Sequence, residues 1–154
     1  MLKYRVIPTL LWKNHGLVKG VGFDSWRRVG TVLPAIKVYN ARDVDELILL
    51  DITASQERRA PDYEVIDDLA DECFVPLTVG GGITHIDHIR DLLLTGADKV
   101  AINSAAFENP ELVREASQRF GSQCIVISID AKKTASGYRC CSLSGTVEQP
   151  YTPE

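Results

Sequence analysis

Five apolar runs of strand length, separated by stretches of helical length, constrain this chain more than any other feature. The runs are Tyr4 to Leu11, Glu46 to Leu50, Pro76 to Val79, Lys99 to Ile102 and Cys124 to Ile129. Helices are predicted between them, at Val32 to Ala41, Asp62 to Cys73, Thr84 to Leu94 and Pro110 to Phe120. Asn109 before Pro110 and Glu111 is an N-terminal signal, Thr84 with Asp87 resembles a capping box, and Gly96 is a stop. Strands joined by helical crossovers pair in parallel, and nearly continuous apolar strands predict a sheet buried on both faces.

A doubly wound sheet and a (β/α)8 TIM barrel both satisfy this alternation. Polar residues favour the barrel: Asp51, Gly80 to Gly82, Asn103 with Ser104, and Asp130 all follow strand ends. That is the rim where barrel enzymes place their active sites. A complete barrel takes about 250 residues, whereas residues 1–154 are expected to form one incomplete barrel domain. It would hold four βα units, a fifth strand and a hairpin insertion at about 132–148, where the pattern becomes polar and then strand-like.

The turn Gly80-Gly81-Gly82 follows the strand-like Leu77 to Val79 and precedes a helix. One glycine suffices for most turns. Three in a row predict close approach of a ligand to bare backbone, with amides aimed at an anion such as phosphate.

Charged residues make up 25% of the chain with a net charge of −4, and no basic stripe marks a nucleic-acid footprint. Trp26-Arg27-Arg28 is read as a loop. No apolar stretch reaches the ~20 residues of a membrane span, and the N-terminus lacks a signal-peptide core, so a cytoplasmic protein is expected. Cys73, Cys124, Cys140 and Cys141 lack zinc-site spacing and are read as reduced structural thiols, the adjacent pair on opposite strand faces. His85 and His88 share a helix face, read as solvated surface rather than metal site. No cofactor is expected.

These residues together resemble the cyclase subunit of imidazole glycerol phosphate synthase (HisF), a barrel that consumes ammonia made by a glutaminase partner. The likeness runs through Arg5-Val6-Ile7-Pro8, Leu17 to Gly20, Leu50 to Ser55, Pro76 to Ile83, Gly96 to Val100, Ile102 to Ala106 and Phe120 to Lys132. It implies a phosphate cradle of Gly82, Asn103 and Ser104, with Lys19 on a mobile first loop closing over a phosphorylated substrate. Arg5, Glu46 and Lys99 match three of four charged residues gating ammonia entry at the other end of the barrel. Their position independently supports a set of facing charges, since each begins an apolar strand, where an isolated charge is costly. Thr78 matches a residue lining the ammonia channel, and Asp98 one facing the glutaminase (HisH-like).

One position departs from the pattern. The family ends its first strand in an aspartate that works with a second, at the position of Asp130, as an acid/base pair. Leu11 stands in its place here. General acid/base groups are worth roughly 10² to 10⁴ in rate, so a change of chemistry is expected, with Asp130 as acid/base and Asp51 as orienter or hydrogen-bond acceptor. His15 is the nearby residue able to substitute. The resemblance then implies a paralogue that uses channelled ammonia to amidate a nucleotide-linked sugar for surface polysaccharide. Two other readings stand beside it: the histidine-pathway cyclase reaction, and a non-catalytic half-barrel that docks a glutaminase.

Overall fold

The computed structural model describes residues 4–154. Its main sheet has seven strands in the order β3-β2-β1-β4-β5-β6-β7. Of these, β1 (Thr9–Lys13), β4 (Leu47–Asp51), β5 (Leu77–Gly80), β6 (Lys99–Ile102) and β7 (Ile125–Ile127) are all parallel. The crossovers contain α1 (Val32–Ala41), α2 (Tyr63–Ala70), α3 (Ile86–Leu94), and then α4 (Ser104–Glu108) with α5 (Pro110–Phe120). Parallel strand order never reverses, and each long helix packs on the next. A doubly wound sheet reverses at a switch point, so this is a singly wound (β/α) barrel architecture, here an open part of one.

The core lies between sheet and helices. Leu47, Leu49, Leu77, Val79, Val100 and Ile102 alternate onto the helix side, where they meet Ile36, Ile66, Ile89, Leu92, Leu112 and Ala116. The opposite, inner face is only partly covered: Leu11, Ile48, Leu50 and Val126 are half-buried. Burial on both faces was expected. The sheet is instead open on its inner side, because a barrel covers that face only with strands from across its axis.

Several boundaries differ from the sequence pattern. The first strand starts at Thr9 and continues through Leu11 to Lys13. Trp26-Arg27-Arg28 is no loop but part of β3 (Asp24–Gly30), the second arm of an antiparallel hairpin with β2 (Gly16–Val21). Bulges interrupt its register, so the period-2 alternation that announces a strand is lost. Lys19, expected on a mobile loop, lies on β2 opposite Arg27. His85, not Thr84, precedes α3, and no side-chain cap forms there. Asn109 and Pro110 start α5 as expected, although Asn109 also makes no side-chain cap.

The polar segment after β7 forms a separate antiparallel sheet of β8 (Asp130–Thr134), β9 (Gly137–Ser142) and β10 (Val147–Glu148). Asp130 follows the end of β7 as expected and is the first residue of β8, so the inserted sheet begins at 130 rather than at about 132. Cys140 and Cys141 are both buried, and all four cysteines are free thiols.

Candidate functional site

Beyond the C-terminal ends of the parallel strands lies a cavity of about 920 Å³. Its floor is the inner face at Leu11, Leu50 and Ala101, which the pairing register aligns through Gly80. Asp51, Gly82, Asn103, Ser104 and Asp130 all line it. Five residues singled out in the sequence, from four separated stretches, therefore meet in one place. Lys19 does not line the cavity and is exposed.

The two carboxylates differ in kind. Asp51 Oδ1 accepts from the Thr53 amide (3.0 Å), the Thr53 hydroxyl (2.9 Å) and the Ala54 amide (3.1 Å). Its Oδ2 pairs with Arg59 Nη2 at 2.9 Å. With its acceptors occupied, Asp51 organises the β4–α2 turn and holds Arg59 in place. Asp130 accepts no side-chain or backbone hydrogen bond at its carboxylate among the described residues, and burial pushes its pKa above the usual carboxylate range. A carboxyl that keeps its proton more readily is suited to acid/base work. Leu11 places only hydrocarbon on the floor of the same cavity.

The glycine turn is required by the chain itself. A Cβ on Gly81 would lie 2.3 Å from the Asp51 carbonyl oxygen, and one on Gly82 2.3 Å from that of Arg59. Both glycines also have left-handed backbones, φ 111° and 71°. These are reasons independent of any ligand. The polar groups of the expected cradle are engaged within the fold: Gly82 N–H donates to Ser55 Oγ at 3.3 Å and Asn103 Nδ2 to the Ser128 carbonyl at 2.8 Å. Ser104 Oγ accepts from the Leu143 amide at 3.0 Å, which holds the β9–β10 turn against this residue. The Ser144 hydroxyl ties that turn to the Ile52 carbonyl at 2.6 Å.

At the opposite ends of the strands, Glu46 is buried with 7% exposure. It receives Lys99 Nζ on Oε2 at 2.6 Å and Arg5 Nη1 on Oε1 at 2.5 Å. The three charges expected to face one another do so. Thr78 on β5, 2% exposed, is the register partner of Lys99 on β6 and of Ile48 on β4. Asp98 Oδ2 accepts from the Leu77 amide at 2.8 Å, which anchors the start of β5.

Arg5 is mostly exposed and its pairing adds little stability, whereas Lys99 is three-quarters covered. Glu46→Gln is expected to cost about 1–2 kcal/mol, because it leaves Lys99 partly buried beside a neutral amide. Urea unfolding in a double-mutant cycle with Lys99→Met checks this. The cycle should return most of that cost as coupling, and additive effects would show that the pair contributes nothing.

The chain matches the histidine biosynthesis protein family over residues 5–150. It belongs to that family. Among curated relatives, this family member is 52% identical over 133 residues to a Campylobacter jejuni protein provisionally named imidazole glycerol phosphate synthase subunit hisF2. It is 49% identical over 146 residues to imidazole glycerol phosphate synthase subunit HisF of Natranaerobius thermophilus. Those alignments cover 86% and 95% of this chain but 53% and 58% of the relatives, so it spans about half their length.

Sequence reasoning missed Phe23, Trp26, Arg58, His85 and His88 as cavity residues. A signal existed for Arg58, since Gln56-Glu57-Arg58-Arg59 is a charged βα turn on the rim where Asp51 had already been placed. None existed for Phe23 and Trp26, which reach the cavity through a hairpin hidden by its bulges.

Proposed function

We propose that this chain is the ammonia-using, synthase side of a glutamine amidotransferase. Ammonia from a docked glutaminase (HisH-like) enters between Arg5, Glu46 and Lys99, with Asp98 on the docking side, and passes Thr78 along the inner face. It meets a phosphorylated substrate held by Gly82, Asn103 and Ser104. Asp130 moves the proton, Asp51 keeps the adjoining turn and Arg59 in place, and Lys19 contributes if the β2–β3 hairpin shifts over bound substrate.

One observation carries this reading. A buried, doubly paired carboxylate closes one end of the same sheet face whose other end opens at the cavity containing Asp130. A chain with a purely structural ring of charges has no need of both.

The reaction we favour is amidation of a nucleotide-linked sugar for surface polysaccharide, because Leu11 leaves Asp130 without a second free carboxylate on the cavity floor. Imidazole formation in histidine biosynthesis is the second reading, favoured by the names of both relatives and by Asp130 itself. Expression in a histidine auxotroph lacking its own cyclase subunit separates the two. No growth without histidine is expected, while ammonium and nucleotide sugars yield an amidated product detectable by mass. Restored growth would replace the sugar reading with the histidine one.

A further inference from the structure

The cavity carries more cationic and aromatic surface than a single phosphate uses. Arg59 is neutralised by Asp51 and Glu57, but Arg58 beside it has no carboxylate within ion-pair distance among the described residues. Arg58 lines the cavity from a left-handed backbone (φ 52°). The Arg59 carbonyl packs against Gly82, which fixes this turn next to the cradle. On the same glycine, His88 Nδ1 lies 3.2 Å from the Gly82 carbonyl oxygen and 3.4 Å from the Thr84 amide nitrogen. Either contact commits Nδ1 to the backbone and leaves Nε2 for a ligand. The His85 ring meets that of His88 edge-on at 5.2 Å, and both rings line the cavity.

An aromatic wall comes from the β2–β3 hairpin. The Trp26 indole rests on Gly20, where a Cβ would stand 2.6 Å from ring atom Cε3, and the ring lines the cavity. Phe23 at the hairpin tip is pinned between Gly145 and the Lys132 ammonium, 5.4 Å from its ring centre. The hairpin is thereby held to the β8–β10 sheet. The carboxylates in the lining are Asp51, already committed to Arg59, Asp130, and the exposed Glu108.

We infer that this cavity takes a nucleoside diphosphate group, with one phosphate on the Gly82, Asn103 and Ser104 cradle, the next on Arg58 and His88, and the base against Trp26. This rests on the cradle reading above and says what the ligand's other end must be. A guanidinium free of carboxylates and an imidazole nitrogen beside one phosphate position are complementary to a second, adjacent anion. An indole suits any base, since each presents a π-face.

Calorimetric titration of the 154-residue chain with inorganic phosphate, inorganic pyrophosphate, ADP and UDP tests it. Pyrophosphate is expected to bind about tenfold tighter than phosphate, and at least one nucleoside diphosphate about tenfold tighter again. Arg58→Gln should bring pyrophosphate down to the phosphate value and leave phosphate itself unchanged. Trp26→Leu should bring the nucleotides down to the pyrophosphate value, and Trp26→Phe should keep part of the gain. Thermal melting of each variant verifies that the hairpin and sheet are intact. Phosphate binding with no added gain from pyrophosphate, or gains indifferent to Arg58 and Trp26, overturns this inference and leaves the cradle standing. Binding of none of the four ligands overturns the cradle and the inference together.

Discussion

Asp130→Asn is expected to abolish most ammonia-dependent turnover, by about 10² to 10⁴-fold, and at the same time to make the protein more stable at neutral pH. The first effect follows from geometry, because Asp130 is the half-buried cavity carboxylate whose oxygens accept no hydrogen bond within the fold, whereas Asp51 is occupied and Glu108 is exposed. The second follows from burial. Desolvation raises the pKa of Asp130 in the folded chain, so the native state binds its proton more tightly than the unfolded chain does. Stability supported by the protonated form is complete below the unfolded-state pKa of about 3.9 and declines as pH rises through the raised folded value. Asparagine cannot ionise and removes that decline. Urea midpoints of parent and variant should separate at pH 7 in the variant's favour and converge on acidification. A variant no more stable than the parent at pH 7 would show that something other than burial holds the proton. Lost turnover combined with gained stability is the usual mark of a group kept for function.

How far this site was legible depended on whether a residue's partners are near it in sequence. The bounds of α1 and α5 and of β6 agree with the pattern because period and end signals are local, and Pro110 and Gly121 flank a strongly amphipathic segment. Asp51, Gly82, Asn103, Ser104 and Asp130 were placed at one rim because parallel strands joined by right-handed crossovers bring all their C-terminal ends together. What these residues do there was less accessible. Nothing in the local sequence says that Arg59 occupies Asp51, or that the Leu143 amide, 39 residues on, occupies Ser104. The mobile loop for Lys19 is what the family resemblance implies, and bulges in β2–β3 erase the alternation that would mark a strand, so that a run such as Trp26-Arg27-Arg28 reads as punctuation.

The two ends of the sheet also answer to different physics, which explains why Glu46 was easier to read than the cradle. A charge at the start of an apolar strand is anomalous on sight, and the cost of burying it demands partners. The family resemblance names Arg5 and Lys99 as the companions of Glu46, and their equivalent positions at strand starts support the set independently. A glycine run is ambiguous in comparison, since neighbouring backbone and an arriving ligand make the same demand for a missing Cβ.

That ambiguity yields the second large effect. Gly81→Ala is expected to cost about 3–4 kcal/mol, far more than the roughly 1 kcal/mol lost by a typical substitution. Two costs combine. At φ 111° the backbone lies outside the range open to L-residues, and the new methyl would lie 2.3 Å from the Asp51 carbonyl oxygen and 2.9 Å from its Cβ. Asp51 sits at the end of β4, so relief of the clash must move either that strand end or the β5 turn. Either movement disturbs the Thr53, Ala54 and Arg59 contacts to Asp51, and with Arg59 the carbonyl packed on Gly82. Phosphate affinity should therefore fall together with stability, although Gly81 itself is not a member of the cradle. Gly22→Ala provides the comparison: its backbone is also left-handed (φ 59°), but no atom lies within 4 Å of the added carbon. It should cost only the conformational penalty, about 1 kcal/mol. Urea unfolding of both variants measures the difference. Equal costs would mean that the turn absorbs a methyl at Gly81, and that close packing against Asp51 is not why glycine stands there.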